Sequence, residues 1–229
     1  MAKIKKSQAP DRLEEVESAL SRTERYIEEN QKPLTIIILA LVVVVIVFMG
    51  YKRFIVIPAE KEAQSQMFMA ERYFEQDSFN LALYGDGNNL GMIDIIDDYG
   101  ITKSSELAHY YAGVSFLNLG EFELAIKHLE KFSSNDKMIK LIAKGAIGDA
   151  YLELGEPSKA IGYYEKAATT EDNVFVNPIY LFKAGQVYES QEEFQKALET
   201  YQKIKDNYPE SQEGQKIEKY IAKVKLRVK

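Results

Sequence analysis

Three stretches in the C-terminal half of the chain repeat one pattern of small and large residues at nearly constant spacing. Each contains a glycine followed three residues later by an aromatic residue, and these glycines are Gly113, Gly148 and Gly185. The offsets between them are 35 and 37 residues. Self-similarity at a period of about 20–50 residues is typical of arrays in which each repeat packs against its neighbours. The sequence therefore predicts a repeat protein.

The other landmarks of the pattern favour pairs of antiparallel helices. Two helices approach closely only where Gly or Ala removes side-chain bulk, and a large side chain then fills the space beside it. Gly120 and Gly155 stand where the first helix of a pair is expected to end in a left-handed turn, and Pro209 closes the third copy. The remaining landmarks are Ala125, Ala160 and Ala197, followed by Leu129, Tyr164 and Tyr201.

This period and these landmarks resemble the tetratricopeptide repeat, which is about 34 residues long. One departure is the position often held by Trp in that family, which is His109, Lys144 and Leu181 here. The expected fold is an all-α solenoid with three clear repeats in residues 106–210.

The segments on either side complete the expected solenoid. Residues 58–105 predict a degenerate opening repeat, with one helix over Pro58–Asp77 and a second over Asn89–Tyr99, joined by a glycine-rich linker. Residues 211–229 place apolar side chains on one face and charges on the other. This is the polar-backed capping helix that the open end of an array requires.

Residues 34–54 predict one transmembrane helix. The run Leu34–Tyr51 contains no Asp, Glu, Lys, Arg or His. A helix of that length spans about 27 Å, close to the ~30 Å hydrocarbon core of a bilayer. A cleaved signal peptide would begin near the N-terminus and end in small residues, and a soluble core helix is rarely apolar on every face. We therefore expect a retained anchor.

The charges beside this run give only weak evidence for its orientation in the membrane. Three Lys/Arg lie near each end, while residues 1–33 carry seven in all. Because positive charge in short tails favours the cytoplasm, this weakly favours a cytoplasmic N-terminus with the repeats outside. The inverted orientation, with the repeats in the cytoplasm, stays open.

The tail itself, residues 1–33, is expected to contain an amphipathic helix. Asp11 can cap it, and Glu14 can complete a capping box. Its narrow apolar stripe consists of Leu13, Val16, Leu20 and Ile27. The helix either docks on a membrane partner or forms a short coiled coil, or it is a solvated or interfacial helix that merely precedes the anchor.

Charge and composition exclude several functions. Residues 58–229 carry 28 Asp/Glu against 20 Lys/Arg, which does not suit the binding of nucleic-acid phosphates. The chain has no Cys, and its two histidines, His109 and His128, lack companion ligands at metal-site spacing. No phosphate-binding loop or nucleophile elbow is present. We expect no enzyme activity, no cofactor, no metal and no small-molecule substrate.

In tetratricopeptide arrays, the first helix of each pair, the A helix, lines the concave face. That family geometry implies a protein-binding groove on ten residues, named here the A-helix row. The A-helix row consists of Leu107, Tyr110, Val114, Leu117, Ile142, Asp149, Leu152, Ile179, Phe182 and Gln186. The Lys/Asn/Arg clamp of chaperone-tail-binding relatives is absent, since only Lys183 is basic among the corresponding positions. A largely apolar row suits a hydrophobic helix or an unfolded segment, unless the opening repeat or the linker covers part of it.

The combination of anchor and repeats resembles the YfgM-like family, an ancillary subunit of the SecYEG translocon. The resemblance begins in RYIEENQKPLTIIILALVVV, ends in KIKDNYPESQEG and covers residues 12–225. It is nearest to members from Gram-negative bacteria of the Bacteroidetes type. It implies a cytoplasmic N-terminus, an inner-membrane helix and a periplasmic repeat domain. It also implies the translocon, secreted polypeptides and periplasmic folding factors as partners.

The leading functional hypothesis is therefore a membrane-anchored scaffold that acts as an adaptor or chaperone and binds polypeptide segments. The alternative is a structural scaffold that links envelope or division complexes.

Overall fold

The computed structural model describes residue 24, residues 26–170 and residues 172–228, and every regular element in these ranges is helical. The chain divides into two compact units, Met1–Ile57 and Pro58–Lys229.

The first unit contains one long apolar helix, α1 (Gln31–Tyr51), followed by a π-helical segment, Lys52–Val56. No residue of α1 is buried, and the helix is long and apolar enough to cross a membrane. It begins three residues before the predicted Leu34. Pro33 is tolerated there because backbone N–H groups in the first turn have no intrahelical partner. Residues 26–29 are also helical, and the rest of the predicted tail helix lies outside the described residues.

The second unit contains ten helices among its described residues. These are α2 (Ile57–Glu75), α3 (Phe79–Tyr84), α4 (Met92–Asp98), α5 (Lys103–Asn118), α6 (Phe122–Lys131), α7 (Lys137–Glu153), α8 (Pro157–Thr169), α9 (Asn177–Ser190), α10 (Phe194–Asn207) and α11 (Gln212–Lys225). From α5 onward each helix contacts the next, and α5 also contacts α7 while α9 contacts α11. The pairs α5–α6, α7–α8 and α9–α10 therefore form three successive repeats, and α11 packs on the last.

Capping side chains fix where these helices begin. The Thr102 hydroxyl accepts a hydrogen bond from the backbone N–H of Ser105 at the start of α5. Asp136 accepts two such bonds at the start of α7, and Ser211 accepts one at the start of α11. Each bond satisfies a backbone donor that the first helical turn leaves without a partner.

The landmark glycines mark the closest approach within each pair. A Cβ built on each would collide with a large side chain from the second helix. The pairs are Gly113 with Leu129, Gly148 with Tyr164 and Gly185 with Tyr201, at 2.5, 2.7 and 2.3 Å. The predicted contacts between small and large residues are confirmed.

The turns after the A helices are left-handed, as predicted. Gly120 has φ 82° and Gly155 has φ 71°. In the third repeat the same place is taken by Glu192 at φ 60°. A residue with a Cβ is strained in this region, so the third turn is held by its surroundings rather than by its own preference.

The opening repeat differs from the prediction. Its second helix is the short α3, and α4, within the predicted Asn89–Tyr99, is an additional helix. Ala70 on α2 and Ala82 on α3 are fully buried, with the same spacing as Gly113 and Ala125 in the first repeat. The sequence analysis missed α3 because six residues are too few to reveal a helical period.

The opening repeat is joined to the first repeat by a carboxylate. Glu60 of α2 accepts a hydrogen bond from the Ser104 hydroxyl at 2.8 Å and another from the Lys103 N–H at 2.6 Å. A negative charge at the first turn of α5 is favoured by the helix dipole.

Substitutions at two glycines, one at the contact between repeats and one away from it, test that contact. A Cβ at Gly145 of α7 would lie 1.9 Å from the ring of Tyr180, which comes from α9 of the next repeat. We expect Gly145→Ala to lower the free energy of unfolding by about 1–3 kcal/mol through overpacking. Gly162 in α8 meets nothing within 4 Å, so Gly162→Ala should raise it by about 0.5–1 kcal/mol.

The measurement is urea unfolding of the full chain in detergent, followed by circular dichroism. Equal stability of Gly145→Ala and the unchanged protein would mean that Tyr180 does not occupy this position.

Candidate protein-binding surface

The A-helix row lies on the three A helices of the repeats, α5, α7 and α9, and none of its ten residues is fully buried. Leu152 and Ile179 are 39% and 41% exposed, and Gln186 is also exposed. The other seven are half-buried. The fold thus carries the predicted residues on one set of helices and leaves part of each in contact with solvent.

The two aromatic members of the row are held by other rings. Tyr110 lies 5.3 Å from the ring of Phe132, and burial raises its pKa. Phe182 lies 4.8 Å from the ring of Tyr220 on α11, in an edge-on contact. Such contacts contribute to stability beyond the area that they bury. The exposed members of the row, Leu152, Ile179 and Gln186, are thus aliphatic or polar, and the aromatic members are half-buried.

An ion pair crosses the row between the second and third repeats. Lys183 of α9 donates to both carboxylate oxygens of Asp149 on α7, at 2.7 and 2.8 Å. The hydroxyl of Tyr164 donates to the same carboxylate at 2.6 Å. Burial, followed by this bond to Asp149, raises the pKa of Tyr164. Lys183, the basic residue beside the row, is thus already paired with a carboxylate of the protein itself, which argues further against a carboxylate clamp.

A second ion pair links α9 to α11, as the first links α7 to α9. Glu189 of α9 pairs with Lys223 of α11. Each pair thus connects the A helix of one repeat, α7 or α9, to the helix two further along the chain. Because each pair is partly exposed, its contribution to stability is modest.

Comparison with known families identifies the repeats. A tetratricopeptide-repeat model matches residues 107–136, and a second matches residues 146–211. The chain contains tetratricopeptide repeats. A comparison with curated proteins found no significant match.

Solved structures with tetratricopeptide-like folds resemble the chain. The crystal structure of MamA protein has a TM-score of 0.53 and 19% identity, and the match covers 72% of this chain and 88% of that one. A putative kinesin light chain from Podospora anserina with nearly identical TPR-like repeats has a TM-score of 0.52 and 14% identity. That match covers 73% of this chain and 87% of that one. At such identities the likeness establishes the fold alone.

The tetratricopeptide fold is typically a non-catalytic scaffold for protein interactions. Among the described residues, no group of three His, Cys, Asp or Glu side chains is arranged to hold a metal ion.

The first tetratricopeptide repeat contains a contact that the sequence analysis did not predict. The Nδ1 atoms of His109 on α5 and His128 on α6 lie 3.1 Å apart, so one ring donates to the other. Both rings are half-buried, and Phe116 covers His128. The sequence signal was weak, because the two residues are separated by 19 positions and by a turn.

Burial, and after it the neighbouring positive charges, disfavour protonation of this pair. Burial lowers the pKa of both histidines, and the neighbouring His109, Lys127 and Lys131 help to bring that of His128 to about 4. Asp97 of α4 opposes the shift. In the unfolded chain both histidines titrate near pH 6.5.

The stability of the repeat unit should therefore depend on pH. Since the folded-state pKa is lowered, the unfolded chain binds more protons below about pH 6.5. The contribution of the pair is complete above that pH and is lost as the pH falls toward 4. We expect the melting temperature to drop between pH 7 and pH 5, and His128→Phe to reduce this drop.

Thermal melts of both proteins across this range provide the measurement, with His109→Phe as the companion variant. An unchanged pH profile in both variants would show that the pair does not control acid stability.

Proposed function

We propose that this chain is a membrane-tethered adaptor that binds polypeptide segments along the A-helix row. The observation that carries the proposal is the partial exposure of aliphatic side chains on α5, α7 and α9, foremost Leu152 and Ile179. Apolar side chains in a row on neighbouring helices offer a surface on which an apolar helix or an extended segment loses contact with water.

The proposed tether is α1. Its apolar side chains are exposed along its whole length, and no residue in it is buried. Leaving such a helix in water is unfavourable, whereas a bilayer covers every face and allows all backbone hydrogen bonds to form within the helix. These properties support a membrane anchor near the N-terminus.

The proposed location is the inner membrane, with the N-terminus in the cytoplasm and the repeats in the periplasm. The support comes from the resemblance to the YfgM-like family and from the seven Lys/Arg of residues 1–33. The partners proposed on the same basis are the translocon, secreted polypeptides and periplasmic folding factors, with a chaperone-like role toward emerging chains.

A structural scaffold for envelope or division complexes is the second candidate. It is favoured by the two aromatic residues of the row, Tyr110 and Phe182, which are held in place by neighbouring rings. A fixed surface suits one folded partner at constant stoichiometry, whereas a chaperone binds many unfolded segments.

Substitutions at the most exposed aliphatic positions test the row. We expect Leu152→Asp together with Ile179→Asp to weaken the binding of apolar peptides at least about tenfold, because a carboxylate would have to be desolvated in the contact. The peptides would be titrated by fluorescence polarisation against the full chain in detergent.

The matched control is Leu119→Asp, since Leu119 is 38% exposed but lies beyond the C-terminal end of α5. Melting curves of all variants separate lost binding from lost folding. Peptide affinity that is unchanged in a folded Leu152→Asp, Ile179→Asp protein would refute the row as a binding surface.

A single introduced cysteine tests the orientation, because the chain has none of its own. Lys203 on α10 is exposed, so Lys203→Cys should react in intact cells with a maleimide that crosses the outer but not the inner membrane. Ala2→Cys should react only after lysis. The reverse pattern would place the repeats in the cytoplasm.

A further inference from the structure

The junction between the second and third repeats presents apolar side chains to solvent. Phe175 is 73% exposed, and its neighbour Val174 is also exposed. Among the large apolar side chains described in the second unit, only Leu226 is more exposed. This junction also contains the extra length that separates the third repeat from the second.

The backbone of the junction is held in place by hydrogen bonds and by buried neighbouring residues. The side-chain oxygen of Asn173 accepts hydrogen bonds from the N–H groups of Phe175 and Val176, both at 2.9 Å. Val176 and Asn177 are buried, and the Asn177 amide donates to the Tyr208 hydroxyl at 3.1 Å. Phe175 therefore points outward from a backbone that is fixed on both sides.

The equivalent junction between the first and second repeats is built differently. There Phe132 is half-buried against Tyr110, with 5.3 Å between the ring centres. The residues that follow it, 133–136, are all polar. An aromatic side chain at such a junction can thus be accommodated against the helices, and the outward position of Phe175 is particular to this one.

Phe175 lines a cleft that contains both apolar and polar side chains. Val174, Phe175 and Ile179 line it together with residues 210–213, which lead into α11, and its volume is about 490 Å³. Ile179 also belongs to the A-helix row, so the cleft continues that row at its edge. We call this feature the rim cleft.

The rim cleft carries negative charge beside its apolar wall. Glu210 and Glu213 line it, and within the described part of the chain no ion pair involves either carboxylate. The unit around it is itself acidic, with 28 Asp/Glu against 20 Lys/Arg in residues 58–229. A positively charged segment is attracted both at a distance and at the rim.

We propose that the rim cleft binds a polypeptide segment in which a large apolar side chain is flanked by lysine or arginine. The apolar side chain contacts Val174, Phe175 and Ile179, and the basic neighbours face Glu210 and Glu213. The exposed ring of Phe175 also offers a face for a cation. The inference rests on the proposed function, since the same segment continues along the A-helix row.

Charge complementarity favours this occupant over a second copy of the chain. Two copies meeting at this edge would bring Glu210 and Glu213 toward another acidic surface, and like charges in contact oppose association.

The experiment compares three peptides of equal length by fluorescence polarisation against the full chain in detergent. One has a central Phe flanked by Lys, the second has Phe flanked by Glu, and the third has Ser flanked by Lys. We expect the Lys-flanked Phe peptide to bind at least about tenfold more tightly than either of the others, and this preference to weaken as salt rises.

Two variants assign the preference to the rim cleft. Phe175→Ser should lower the affinity for the Lys-flanked Phe peptide about tenfold. The double variant Glu210→Gln, Glu213→Gln should bind the Lys-flanked and Glu-flanked Phe peptides with equal affinity. The control is Phe68→Ser, because Phe68 is 55% exposed on α2 but lies outside the cleft, and it should leave binding unchanged.

The outcomes separate this inference from the function on which it rests. Equal binding of Lys-flanked and Glu-flanked peptides, or wild-type affinity in Phe175→Ser, overturns the rim cleft. The A-helix row is then tested by Leu152→Asp alone, since Leu152 lies outside the cleft. No binding of any peptide to the wild type overturns both. A change of mass in solution on Phe175→Ser, without a change in peptide affinity, would assign the cleft to a second copy and also overturn the inference.

Discussion

The close approach of paired helices at small residues supports the rest of this structure. At Gly148 the distance from a Cβ to the ring of Tyr164 would be only 2.7 Å, so the two helices of the second repeat can meet only because no side chain lies between them. The same device joins consecutive repeats where Tyr180 lies over Gly145. In such an array each repeat packs against its neighbours, so the packing at these crossings couples the stability of one repeat to that of the next.

The character of the proposed binding surface follows from these crossings. Phe182 packs against Tyr220 of α11, and the exposed members of the row are Leu152, Ile179 and Gln186. The pair of Asp149 and Lys183 then links α7 to α9 across the row. A surface that is held in this way loses little conformational freedom on binding, which favours affinity for a given contact area.

The proposed function joins this surface to α1. A binding surface tethered to the membrane meets other membrane-bound partners at a raised effective concentration, so that individually weak contacts suffice. The acidic repeat unit and the rim cleft add a preference of their own, because negative charge beside Phe175 favours apolar segments with basic neighbours. In this proposal, the row and the cleft contact the same bound polypeptide, and the tether keeps both near the membrane.

The sequence by itself determined the three helix pairs, their small-to-large contacts and the left-handed turns at Gly120 and Gly155, because each depends on residue types at fixed local spacing. The placement of the proposed row on the A helices came from the geometry of the tetratricopeptide family. Only the tertiary structure decided which side chains of the row are accessible, and it turned Phe182 toward α11. It likewise brought His109 to His128 and fixed Phe175 outward. These features depend on how one helix is rotated against another, and the periodicity of a single helix does not record that rotation.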